Sequence, residues 1–213
     1  QTQDSGTTAE RMRITSSGDV SIANGKVYGA GGGINMATSR LLPSNASGGA
    51  NDNVNDCGGP SNRWDDIYAT SGVVNTSDQN EKQQIVLLNA TEIAVAKRVS
   101  KLFKTFKWNS SVESKGSDAR VHVGVIAQEV QQAFVDEGLD ASKYGLWCFN
   151  TWWEKEITED GKSYIDQKEE ETEGYVERTR MGIRYPELLS FVHAYQEQKL
   201  NDLETRIEAL ENA

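Results

Sequence analysis

Apolar positions along this chain fall into two regimes that meet near residue 77. Before it they are sparse and alternate: Met12, Ile14, Val20 and Ile22 sit at strand spacing. Ser17-Gly18-Asp19 and Asn24-Gly25-Lys26 supply turn chemistry between them, where positive φ costs little. The stretches Gly29-Ala30-Gly31-Gly32-Gly33 and Gly48-Gly49-Ala50-Asn51 carry too few side chains for one chain to build a core, because glycine loses much backbone entropy on ordering and adds no packing. Residues 1–76 hold 12 of the 19 glycines and a single lysine, Lys26, which reads as fibrous rather than globular. Three intertwined β chains would supply the missing packing, and intrinsic disorder over residues 1–56 is the alternative that composition leaves open.

From Ser77 onward the pattern becomes that of a globular α+β domain. Ile93, Ala96, Val99, Leu102, Phe103 and Phe106 recur at helical spacing, and Asn89 with Glu92 makes an N-terminal cap, so a helix is expected over roughly 89–104. A polar loop from Ser110 to Asp118 follows. Val121 to Val125 alternates as a strand, and Gln128 to Phe134 returns to helical spacing. Trp147, Phe149, Trp152, Trp153, Tyr164 and Tyr175, with a turn at Asp160-Gly161, predict a hairpin or small antiparallel sheet between Leu146 and Arg184. Pro186 suits the first turn of a last helix. Along that helix Leu200, Leu203, Ile207 and Leu210 follow a 3-4-3 spacing that runs back through Gln196, His193 and Leu189. This predicts a coiled-coil seam over about 186–212, with polar Gln196 and His193 fixing register or strand number. A single amphipathic helix packed on its own domain is the alternative.

Composition narrows the class of partner. Only 37% of residues are hydrophobic, which makes a modest core for 213 residues and leaves burial for oligomerisation to supply. A net charge of −10 argues against nucleic-acid or anionic-membrane partners, since both attract basic surfaces. No apolar run approaches spanning length, so no membrane insertion is expected. Gln1-Thr2-Gln3-Asp4 has no signal-peptide character and reads as part of something longer. Cys57 and Cys148, one in each half, support neither a disulfide framework nor a metal knuckle. Glu169-Glu170-Glu171 lacks the alternation with a turn glycine that hard-cation loops use, so it reads as a solvated loop. No metal or cofactor is expected. Cys148 reads as a small buried hydrophobe, His122 as a strand residue, and the Asn-x-Ser/Thr sites at 45, 75, 89 and 109 as chance or caps.

The chemistry concentrates at Asn75-Thr76-Ser77-Asp78-Gln79-Asn80-Glu81-Lys82, where a hydroxyl and an amine stand five residues apart at the change of regime. Upstream lie Gly58-Gly59-Pro60-Ser61-Asn62-Arg63-Trp64-Asp65-Asp66-Ile67-Tyr68-Ala69 and Gly72-Val73-Val74. Downstream come Ile85, Val123-Gly124-Val125-Ile126-Ala127-Gln128-Glu129-Val130 and the helical C-terminus. In this order the motifs closely resemble the C-terminal intramolecular chaperone of phage tailspikes and tail fibres, the self-cleaving endosialidase type. The resemblance covers roughly Gly58 to the end of the chain.

That resemblance implies a homotrimer in which residues 77–213 template the folding of a fibre segment, 1–76, and are then released by a single cut between Thr76 and Ser77. It implies Ser77 as nucleophile and Lys82 as base. Serine–lysine pairs are an established form of the serine hydrolase arrangement, and an amine takes the hydroxyl proton only when burial brings its pKa from about 10.4 toward 7 or 8. Asp78 is the candidate for orienting the lysine or straining the turn, although Asp78 to Glu81 also reads as a helix capping box. No oxyanion donor is legible. The family pattern has an apolar residue before the lysine where this chain has Glu81, whose carboxylate opposes a neutral amine unless it points away. The implied setting is a virion tail fibre or tailspike assembled in the host cytoplasm. The competing expectation is an uncleaved trimeric tip that binds a host receptor or surface glycan through the aromatics between Trp147 and Tyr175, and an ordinary trans-acting hydrolase is the third.

Overall fold

The structure, a computed structural model, describes residues 12–14, 20–22, 26–29, 32–37, 40–47, 49–159 and 161–212. They belong to two compact units, Gln1–Ile67 and Tyr68–Ala213. In the first, β1 (Met12–Ile14) pairs antiparallel with β2 (Val20–Ile22), with Met12 opposite Ile22 and Ile14 opposite Val20. Strand alternation thus sets apolar residues directly across from one another. β3 (Lys26–Gly29), β4 (Gly32–Ala37) and β5 (Arg40–Ser44) form a three-stranded antiparallel sheet in chain order. Gly29 stands opposite Gly32. The turns expected at 17–19 and 24–25 lie outside the described residues. Asn45 accepts the N–H groups of Ser47 and Gly49 at 2.9 Å each, so this Asn-x-Ser asparagine is a turn former.

The second unit starts its regular structure where the sequence signals it. Asn89 Oδ1 accepts from the Thr91 and Glu92 N–H groups at 2.9 and 3.0 Å, and Glu92 Oε2 accepts from the Asn89 N–H at 2.8 Å. This reciprocal cap opens α1 (Ala90–Val99). The helix ends sooner than its apolar spacing predicts, because Phe106 is drawn into β6 (Lys104–Phe106), opposite His122 of β7 (His122–Gly124). The segment expected as a polar loop contains α2 (Asn109–Lys115), a short helix that Gly116 ends at φ +56°. α3 (Ala127–Asp136) then buries Val130, Ala133 and Phe134 at one-turn spacing. The Phe134 ring lies 4.7 Å from that of Tyr144 and 5.9 Å from that of Phe191, joining α3 to the last helix. Each such buried side chain contributes roughly 1.5 to 3 kcal/mol.

The aromatic region forms one antiparallel sheet with β8 (Trp147–Glu159) between β10 (Val176–Ile183) and β9 (Lys162–Lys168). β10 pairs with the first part of β8, from Ile183 opposite Trp147 to Val176 opposite Glu154. β9 pairs with the rest, from Trp153 opposite Lys168 to Glu159 opposite Lys162. Past Glu154, therefore, β8 and β9 continue as a two-stranded ribbon, with Gly161 at φ +73° between them. Trp147 Nε1 donates to the Ala127 carbonyl at 3.0 Å and ties the sheet to α3. Cys148 is half-buried rather than buried as expected, since its cross-strand neighbour is Gly182, which has no side chain to cover it. Glu169 to Glu171 are exposed.

α4 (Tyr185–Glu211) has Pro186 in its first turn, where a missing N–H costs nothing. Leu188, Phe191 and Val192 are buried against the unit's own core, with Tyr195 packed beside them. No residue from Gln196 to Asn212 is buried. The separate stripe formed by Leu189, Leu200, Leu203, Ile207 and Leu210 is 40 to 78% exposed.

Candidate functional site

Ser77 and Lys82 are brought together by the residues between them. Asp78 Oδ1 accepts from the Asn80 N–H at 2.8 Å and from the Asn80 side-chain amide at 3.0 Å, capping a single 3-10 turn over Gln79–Glu81. The Lys82 N–H closes that turn on the Gln79 carbonyl at 3.1 Å. Lys82 leaves it in extended conformation, and its Nζ lies 2.5 Å from Ser77 Oγ. Asp78 thus shapes the turn through Asn80, and no hydrogen bond or ion pair joins it to Lys82 among the described residues. No ion pair joins Glu81 to Lys82 among the described residues.

The pair opens onto a wide cleft of about 1110 Å³ within the second unit. Asn75, Thr76, Ser77 and Lys82 line it together with the junction of β10 and α4, from Ile183 to Glu187. That junction is held at several points. The Arg184 N–H donates to the Leu146 carbonyl at 2.9 Å, and Arg184 Nη1 donates to the Gly145 carbonyl at 2.5 Å. The Val125 N–H donates to the Tyr185 hydroxyl at 3.1 Å, an approach that only a glycine at 124 permits, since a Cβ there would stand 2.2 Å from that oxygen. The Glu187 carboxylate lies against Gly145, where an added Cβ would meet Glu187 Oε2 at 2.4 Å.

Serine and lysine both remain solvent-exposed in the single chain. So do the apolar residues flanking them: Val73, Val74, Ile85, Val86 and Leu87 are 65 to 94% exposed. The two histidines lie elsewhere. His122 stacks on Phe106 at 5.7 Å and meets Trp108 edge-on at 6.2 Å, while His193 is exposed on the outer stripe of α4. Among the described residues, no group of three or more His, Cys, Asp or Glu could hold a metal ion, and no helix is long and apolar enough to cross a membrane. Arg184 and Glu187 were missed by sequence reasoning, because more than a hundred residues separate them from Ser77 and no local motif marks them.

A hydroxyl–amine pair at the leading edge of a mixed helix and sheet domain, with a long C-terminal helix, defines a class that the comparisons then name. Residues 77–139 match the family Peptidase_S74, the chaperone of endosialidase. The match begins at Ser77 itself. The chain is 39% identical over 151 residues to a probable tail spike protein of Klebsiella phage 0507-KN2-1, covering 66% of this chain and 12% of that protein. It is 27% identical over 217 residues to the tail spike protein of Escherichia virus K5, covering 96% of this chain and 31% of that one. The chain therefore spans a minor part of the length of these relatives. Its fold is similar to that of the C-terminal domain of the bacteriophage T5 L-shaped tail fibre with its intramolecular chaperone domain, with TM-score 0.61 at 23% identity over 83% of this chain and 44% of that one. The chain carries a chaperone domain of the endosialidase family, as its ordered motifs imply.

Proposed function

We propose that residues 77–213 are a trimeric intramolecular chaperone that sets the register of a phage tail spike or fibre, of which residues 1–76 are the end. It then releases itself by one cut between Thr76 and Ser77. The observation that carries this reading is the Lys82 Nζ to Ser77 Oγ hydrogen bond at 2.5 Å, at the first residue of the family match. In the reaction the neutral amine takes the Ser77 hydroxyl proton as Oγ bonds to the Thr76 carbonyl carbon. The Thr76–Ser77 carbon–nitrogen bond breaks as that proton passes to the leaving amine. Water then hydrolyses the ester, leaving a Thr76 carboxylate and restoring the Ser77 hydroxyl. Each chain reacts once.

Assembly completes the site in this reading. An exposed ammonium is a poor base, so desolvation has to come from neighbouring chains. The bare apolar residues around the pair and the outer stripe of α4 are the surfaces that such chains would cover. Cutting after the fibre has closed leaves the product behind a high unfolding barrier, since the part that assembled it can no longer pull it open. The setting is the virion tail, after assembly in the host cytoplasm; a host glycan or receptor is bound by the mature spike rather than by this domain.

Mass measurement on the freshly expressed chain tests the proposal. Fragments ending at Thr76 and beginning at Ser77 are expected from wild type and absent from Ser77→Ala and Lys82→Ala. An intact wild-type trimer after long incubation would favour the uncleaved tip instead.

A further inference from the structure

Among the described residues lining the cleft, Lys82 and Arg184 are the two cations, and Glu187 is the one acid. Lys82 is engaged with Ser77. Attack by Ser77 pushes an electron pair onto the Thr76 carbonyl oxygen, and hydrolysis later leaves Thr76 as a carboxylate. Lys82 gains its charge only by taking the Ser77 proton and gives it up to the leaving amine, so it offers no lasting charge to the Thr76 oxygen. A guanidinium stays charged throughout the relevant pH range and presents five donors in a rigid fork.

Resting on the cleavage reading above, we propose that Arg184 is the electrophilic partner of the reaction, holding the Thr76 oxygen as an oxyanion during attack and as a carboxylate after the cut. Its placement suits this role. The backbone N–H is fixed on Leu146 and one Nη on the Gly145 carbonyl, so the group is oriented before any charge develops, which is where donors of this kind gain their effect. The Gly145 bond uses one donor of the fork. Glu187 rests against the same glycine, and no ion pair joins it to Arg184 among the described residues. Two residues on Gly145 thus place a cation, held for an oxygen anion, in the same cleft that the nucleophile and its base line.

The test is single-turnover cleavage of the full chain after rapid refolding, with assembly followed by light scattering. Arg184→Gln is expected to trimerise normally and to cut about 100 to 1000 times more slowly, the loss typical of removing one oxyanion donor. In Arg184→Ala, added methylguanidine is expected to restore part of the rate, and methylammonium much less; a purely structural arginine would not respond in that way. Should the glutamine variant fail to assemble, Arg184→Lys keeps the charge without the fork, and a rate at least about tenfold below wild type is expected. A trimeric Arg184→Gln or Arg184→Lys that cuts at the wild-type rate overturns the assignment and leaves the Ser77–Lys82 reading standing. If the wild type itself stays whole, the cleavage reading falls and this assignment with it.

Discussion

At the level of single residues, Tyr144 is the side chain on which the core and the cleft both lean. Its hydroxyl donates to Glu92 Oε1 at 3.0 Å, its ring packs on Phe134, and it lines the cleft. Burial first, and then the bond to Glu92, push the phenol above its ordinary range near 10. A group whose folded pKa is raised contributes stability that is complete below its unfolded value and lost as pH rises through the folded one. The Tyr144 contribution should therefore be intact at neutral pH and fade above about pH 10. Tyr144→Phe is expected to cost about 1 kcal/mol at pH 7 in urea titrations, and the gap from wild type should narrow in strong alkali. Asn89→Ala removes the acceptor for two N–H groups at the start of α1 and should cost about 1 kcal/mol by the same measurement. That cap was legible in the sequence because it is local. The hydrogen bond from Tyr144 to Glu92, 52 residues apart, was not.

At the level of elements, legibility followed the range of the forces involved. α3 was visible because its buried residues recur at one-turn spacing, and α4 because its outer, exposed stripe does. The end of α1 was misjudged because Phe106 keeps helical spacing in the sequence while its actual partner is His122, across a strand pair no local pattern reveals. α2 was missed because Val112 is the one aliphatic residue in Asn109–Lys115, which leaves no stripe to detect. Gly124 shows how two elements depend on one missing methyl. Gly124→Ala forces the Tyr185 hydroxyl away from the Val125 N–H, and a loss of about 1 to 3 kcal/mol is expected in thermal or urea unfolding. On α4 the inner and outer stripes give separable outcomes. Replacing Leu203 and Ile207 together by Asp should leave the domain folded by circular dichroism and abolish the proposed trimer in light scattering. A single species of unchanged mass would remove the seam from the proposal.

Across the whole molecule, the two regimes of the sequence correspond to two demands. The second unit has its own core and can order early through contacts mostly within itself. The first unit presents short antiparallel strands, each paired with a neighbour in the chain, with Gly29 opposite Gly32. If the second unit templates the first, parent spikes cut at Thr76 should resist unfolding, yet once denatured they should refold poorly. Uncut Ser77→Ala spikes should do the reverse, as measured by recovery of trimer after dilution from guanidinium. The location of the candidate site was readable because the ordered motifs around Ser77 and Lys82 resemble a known family; their spacing alone did not mark it. The lining from Ile183 to Glu187 became visible only when the chain folded back on itself.

The far end of α4 carries one further implication. From Gln196 to Glu211 every residue of the helix is exposed, only Gln198, Lys199 and Asp202 share a groove with α1, and an isolated helix of that length is marginal in water. If the proposed trimer forms, an unrelated three-stranded zipper spliced on after Asp202 in matching phase should serve as well, making the far end of α4 an interchangeable part.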